Sequence, residues 1–188
     1  KSVSEQFKAD YGSTNYEDVL SDPDVDAVLI CTRHHLHAQQ AIQAAEAGKG
    51  ILLEKPMAMN QQELDNLVSA LQETGVPFMM GFNRRFSPAA IRTIELIKDR
   101  INPLIMIYRV NAGYIPLDNW VQTEEGGGRI VGEACHMFDL FNFFTRSVPL
   151  QIEAFPLKNS SFPGVSPEDF TAVISYQDGS LCNLHYTT

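Results

Sequence analysis

Gly50-Ile51-Leu52-Leu53-Glu54-Lys55-Pro56 is the stretch that decides the architecture of this chain. The apolar run has strand length, and it stops at an anion, a cation and a proline that has no N–H to give a ladder. In an open α/β sheet, ligands bind at the carboxyl ends of the strands. The stretch therefore delivers a carboxylate and an ammonium to a binding crevice. A surface salt bridge at a strand end is the competing reading of the same residues.

Working outward, Ala27-Val28-Leu29-Ile30-Cys31-Thr32 is a second continuous apolar run. It is expected to form a strand buried on both faces of a parallel sheet. Between the two runs, Leu36 to Ala47 is rich in Ala and Gln and reads as a helix ending at Gly48. Beyond Pro56, Asn60 and Glu63 form a capping box, and Leu64, Leu67, Val68 and Leu71 make an apolar stripe at helical spacing. Gly75 closes that helix, and Val76 to Met80 is a third strand. Upstream, a helix is expected over residues 2–11 and a short one at Tyr16–Leu20. Strand, helix, strand, helix, strand at these spacings predicts right-handed crossovers and a doubly wound sheet.

From about residue 84 the pattern changes. A helix capped by Ser87, with Pro88 in its first turn, precedes a long strand from Leu104 to Tyr114. Then come a polar loop with Trp120, the run Gly126-Gly127-Gly128, and an aromatic-rich helix from near Val131 to Phe144. Strands near 151–158, 169–176 and 180–187 complete the pattern, the last two joined by a hairpin at Asp178-Gly179. This half predicts a second domain of α+β type with a mainly antiparallel open sheet.

Composition narrows the function. The 188 residues are 44% hydrophobic and 20% charged, which is globular rather than disordered, and the net charge of -9 argues against a nucleic-acid surface. No run has bilayer-spanning length, so no membrane role is expected. Cys31, Cys135 and Cys182 lie far apart in apolar segments, as buried thiols in a reducing cytoplasm would. The chain starts inside a helical pattern and stops inside a strand, so it is expected to be a piece of something longer.

Two clusters carry chemistry. In Gly132-Glu133-Ala134-Cys135-His136, an α-helix starting near Val131 would put Gly132 and Glu133 one turn before His136 on its face. A carboxylate there could fix the imidazole tautomer for proton transfer. A histidine packed among aromatics and bonded to the backbone is the alternative. Arg84-Arg85 could clamp a phosphate or sugar carboxylate, or be a surface pair. Trp120 could stack on a sugar ring or anchor an interface. His34-His35-x-His37 hints at a metal, but adjacent histidines point different ways and no carboxylate has a matching spacing, so no metal site is assigned. The dinucleotide fingerprint G-x-G-x-x-G is absent.

Ile30-Cys31-Thr32, His37, Ala45-x-x-Gly48-Lys49 and Glu54-Lys55-Pro56, in that order, resemble the Gfo/Idh/MocA family of glucose–fructose oxidoreductase and inositol dehydrogenase type. Met80-Gly81-Phe82-Asn83-Arg84-Arg85-Phe86, and Gly126-Gly127-Gly128 followed by His136 and Asp139, are similar to its later motifs. The resemblance implies a partial Rossmann-type dinucleotide domain over 1–83, lacking its first β-α-β, and a partial substrate and oligomerisation domain over 84–188. It implies NAD or NADP as cofactor, a sugar, polyol or nucleotide sugar as substrate, hydride transfer as the reaction, and a homo-oligomer formed through the C-terminal sheet. Thr32, His34, His37, Glu54, Lys55 and Arg85 are then expected along the cofactor. Asn83, Arg84, Trp120, Lys55 and His136 are expected along the substrate, with Lys55 and His136 catalytic. Without the glycine loop, the chain alone is expected to be inactive and to bind the dinucleotide weakly.

The sequence departs from the family pattern twice. The usual aspartate four residues before the histidine is Gly132, and Glu133 is expected to replace it as a catalytic carboxylate. The usual Thr-Pro-Asn is Thr32-Arg33-His34, a variant that looks like the C-terminal module of bacterial bidomain oxidoreductases. A non-catalytic binding or assembly module, and a redox-neutral glycosidase-like member, stand as the alternative functions.

Overall fold

The structure, a computed structural model, describes residues 3–157 and 168–188. The chain divides into two compact units, Lys1–Thr32 with Leu36–Met80, and Arg33–His35 with Gly81–Thr188.

In the first unit, β1 (Ala27–Ile30), β2 (Gly50–Leu53) and β3 (Phe78–Met80) form a parallel sheet in that order. The register sets Val28 beside Ile51 and Leu53 beside Met80. Helix α3 (His37–Glu46) turns Ala38, Ala41, Ala44 and Ala45 inward. These small side chains let the helix pack closely on Ile30, Ile51 and Leu53, with Leu67 of α4 (Gln61–Thr74) completing the core. Each large apolar side chain buried here contributes about 1.5–3 kcal/mol. The cap forms, with its return bond one residue further back than in a capping box: Asn60 accepts from the Glu63 N–H at 3.0 Å, and Glu63 accepts from the Met59 N–H at 2.8 Å. Gly75 ends α4 at φ 65°, the left-handed conformation that glycine adopts at least cost.

The parallel strands are not buried on both faces as their composition predicts. Leu29, 63% exposed, and its row-mates Leu52 and Met79 face away from the helices and stay open among the described residues. A continuous apolar run reports on both faces at once and cannot say which neighbours cover each. Upstream, the expected helix over 2–11 is only α1 (Val3–Phe7), and Lys8 beyond it has a left-handed φ of 55°. Ser2 lies outside the described residues. The short helix α2 (Tyr16–Leu20) forms as expected, with Asn15 as its cap.

In the second unit, α5 (Pro88–Ile97) starts at Ser87, whose hydroxyl accepts from the Ala90 N–H at 3.2 Å. The sheet runs β4-β7-β6-β5, with β4 (Ile105–Asn111) parallel to β7 (Leu181–Thr187). β6 (Phe170–Tyr176) pairs antiparallel with both β7 and β5 (Pro149–Pro156). The expected strand end at Lys158 lies outside the described residues. Met137 and Phe141 of α6 (Cys135–Thr145) pack on Ala172, Ile174, Cys182, Leu184 and Tyr186, so one sheet face is the core. Ile105, Ile107 and Leu181 lie exposed on the other. The β6–β7 hairpin turns at Asp178-Gly179, with Gly179 at φ 86°.

The three cysteines form no disulfide, but only Cys182 is buried, and burial pushes its thiol up to about 12. Cys31 is exposed, against the expectation of a buried thiol, because it lies just past β1 where the strand leaves the sheet. Among the described residues no helix is long and apolar enough to cross a membrane.

Candidate functional site

At the carboxyl end of the first unit's sheet, one imidazole organises two loops. His37, 1% exposed, sets Nδ1 2.7 Å from the Pro56 carbonyl and Nε2 3.1 Å from the Thr32 carbonyl. The ring thereby ties the end of β1 to the Glu54-Lys55-Pro56 turn, whose Lys55–Pro56 peptide is cis. The Glu54 N–H donates to Ile30 at 3.0 Å, and the Glu54 carboxylate accepts from the Lys55 N–H at 3.3 Å. The Thr32 hydroxyl donates to Gln40 at 2.6 Å and lies at the surface. Thr32, Glu54 and Lys55 are thus gathered at one strand-end edge. Thr32 is exposed there, and Glu54 and Lys55 are half-buried.

In the second unit, Ile130–Ala134 winds as a π-helix and runs directly into α6. Its i→i+5 bonding inserts extra backbone relative to an α-turn. His136, in the first turn of α6, is 6% exposed, with the Phe82 ring edge-on at 6.0 Å. Glu133 does not pair with it as expected. Its Oε2 accepts from the Arg129 guanidinium at 2.9 Å and from the Tyr186 hydroxyl at 2.6 Å, and Oε1 lies 3.7 Å from Arg84. The physical reason is the π-turn: the i+3 relation to His136 assumed α-helical winding, and the wider turn aims the carboxylate at β7. Burial pushes the Glu133 carboxyl up, but the Tyr186 and Arg129 hydrogen bonds outweigh it and hold the group below its ordinary value.

Arg84 and Arg85 each face an acidic side chain of the same unit. Arg85 makes a two-armed ion pair with buried Asp139, its Nε 2.9 Å from Oδ2, and its guanidinium carbon lies 5.5 Å over Phe143. The Asp139 hydrogen bond raises the Arg85 pKa. Arg84 reaches Met137 Sδ at 3.8 Å besides Glu133. Both arginines thus fasten the short 3-10 turn Asn83–Phe86 to the elements bearing His136, while Asn83 itself is exposed.

Trp120 is also engaged within this unit. The Arg33 guanidinium lies 4.3 Å over its ring, and His34 meets it edge-on at 4.8 Å. His34, expected along the cofactor, is buried, and its Nδ1–H donates to the Gly126 carbonyl at 2.8 Å. Among the described residues no group of three or more His, Cys, Asp or Glu side chains is placed to hold a metal ion.

Asp139, Arg129 and Tyr186 also shape the site, and of these the sequence marked only Asp139, as a motif residue without a role. The i, i+4 spacing of Arg129 and Glu133 was a readable signal for one pair. Nothing local links Tyr186 to either.

Residues 1–82 match the model of the oxidoreductase family with an NAD-binding Rossmann fold. The chain belongs to this Gfo/Idh/MocA family. It is 32% identical over 187 residues to an uncharacterized oxidoreductase of Bacillus subtilis, covering 96% of this chain and 54% of that one. It is 31% identical over 181 residues to 1,5-anhydro-D-fructose reductase of Ensifer adhaerens, covering 92% and 53%. A levoglucosan dehydrogenase solved with NADH and levoglucosan superposes with a TM-score of 0.83 at 25% identity, covering 98% of this chain and 53% of that one. The chain spans about half the length of the relatives it matches.

Proposed function

We propose that the protein carrying this chain is an NAD(P)-dependent oxidoreductase that transfers hydride between nicotinamide and a carbon of a sugar, polyol or nucleotide sugar. The observation that carries this reading is the NAD-binding family match over 1–82, joined to relatives named for anhydro-sugar substrates. The strand-end edge fits a dinucleotide in kind: Thr32 and Glu54 offer polar groups at the carboxyl ends of β1 and β2, where an open α/β sheet binds ligands. The nicotinamide, when bound, supplies the hydride chemistry.

The chain's own residues supply charge and proton handling. Lys55 stabilises the alkoxide, which forms when the hydroxyl is deprotonated ahead of hydride departure or when hydride arrives at the carbonyl, an effect that is strong where water is excluded. His136 exchanges the hydroxyl proton. His37 holds the Lys55 turn in place, and Arg84, Arg85 and Asp139 hold the element next to His136. Asn83 contributes a polar group to the substrate side. The protein works in the cytoplasm, where its thiols stay reduced, and as a homo-oligomer that covers Ile105, Ile107 and Leu181.

The test is direct. Full-length protein, supplied with NAD or NADP and a panel of anhydro-sugars, polyols and nucleotide sugars, is monitored by nicotinamide absorbance. Cofactor reduction with at least one of them is expected. Micromolar cofactor binding without any turnover across the panel would favour the binding-module alternative.

A further inference from the structure

The glycine at position 132 is dictated by a side chain far away in sequence. Its φ is not in the left-handed region, so the backbone itself would accept a side chain. Yet a Cβ built there stands 2.8 Å from His34 Cε1 and 3.3 Å from Nδ1. Real Cβ atoms do not tolerate such a contact unless the neighbour can move, and His34 is fixed on several sides. Its Nδ1–H is bonded to the Gly126 carbonyl, and its ring edge abuts Trp120. The flanking residues are tied to the same loop: Arg33 lies over Trp120 and pairs with Glu125 at 3.7 Å, and the His35 N–H donates to the Glu125 carbonyl at 3.1 Å. The ring is 5% exposed.

Gly132 is the central residue of the π-turn, and the same turn is gripped at Glu133 by Arg129 and Tyr186. A π-turn is a less common winding that persists where its surroundings hold it. Its relaxation to α-helix would shift the register by one residue, rotating the side chains of α6 by about 100° around the helix axis. His136 is the second residue of α6.

We propose that His34 is a positioning residue for His136: its imidazole wedges against Gly132 and holds the π-turn that sets the direction of the His136 ring. The proposal rests on the oxidoreductase reading for its catalytic consequence, but its structural core does not. His34 and Gly132 act as a matched pair, so the side chain allowed at one depends on the other.

A double-variant cycle in the full-length protein tests it. Gly132→Ala is expected to lower Tm by roughly 3–8 °C while His34 is present, as overpacking does. In the His34→Asn background, where the amide can still donate to Gly126 and no Cε1 remains, the same change is expected to cost less than a third of that. Additive losses would overturn the pairing. If Gly132→Ala alone does not fold and the double variant does, the coupling is shown more strongly; if neither folds, the pairing is refuted. His34→Ala, read by the His136 Cε1–H resonance, is expected to broaden or double that signal, and Asn at the same position to do so less. An unchanged signal would overturn the positioning role whether or not the protein proves to be an oxidoreductase. In the active enzyme, His34→Ala is expected to lower kcat about tenfold or more with KM for the cofactor within about twofold. Unchanged kcat in a protein shown to turn over would likewise reject it.

Discussion

The Tyr186 hydroxyl donates to Glu133 Oε2 at 2.6 Å, and the same oxygen accepts from Arg129 at 2.9 Å. A strand residue and the residue at the start of the π-turn thus hold a carboxylate that the local sequence offers to His136. Arg129 is 3% exposed, and its remaining donors go to Tyr186 at 2.9 Å and to the Gly113 carbonyl. Burial alone would lower its pKa, but Glu133 and Tyr186 outweigh that and raise it.

Removing the carboxylate charge from this cluster leaves a buried guanidinium without its counter-ion. Glu133→Gln is expected to cost roughly 3 kcal/mol in urea unfolding. Because the two residues share one network, Arg129→Met together with Glu133→Gln should cost clearly less than the sum of the single changes. Additive losses would show that the pair does not function as a unit.

Acid sensitivity should localise to the β6–β7 turn. The Arg100 guanidinium, 2.8 Å from Asp178, holds that carboxyl at about 2, assisted by the Ser180 N–H and hydroxyl. An unfolded aspartate titrates near ~3.9. The folded value is depressed, so the contribution is full above about pH 4 and is lost as pH falls through about 2. The stability gap between the parent and Asp178→Asn, measured by urea unfolding, is expected to shrink across that window. A gap independent of pH would remove Asp178 as its source.

Lys55 is half-buried at a strand end, outside the packed core of the first unit. In the full-length protein, Lys55→Ala is expected to lower kcat by about two orders of magnitude, with Tm nearly unchanged. Near-parental turnover would return the residue to a surface ion-pair role, and loss of folding would make it structural.

Ile107 is 70% exposed on the open face of the second unit's sheet, beside Ile105 and Leu181. If a second copy covers this face, Ile107→Glu places a charge in an apolar contact and should shift the protein to a smaller species in light-scattering chromatography. An unchanged mass would move the assembly surface elsewhere.

The elements and their kind were legible along the chain. The strands at 27–30 and 50–53, the cap at Asn60, and the turn at Asp178-Gly179 follow from local signals of composition, cap and turn, although β1 stops two residues short of its apolar run. The sequence also identified the strand-end turn at Lys55 and the aromatic helix bearing His136, because motif residues are contiguous. What faces those groups is set by the folded arrangement. Which face of β1–β3 is covered, where Glu133 points, what binds Arg84 and Arg85, and why position 132 is glycine depend on contacts with residues distant along the chain, Tyr186, Asp139 and His34 among them. Periodicity reports a residue's neighbours along its own element. Hydrogen-bond partners and steric walls come from other elements, and no local pattern encodes them.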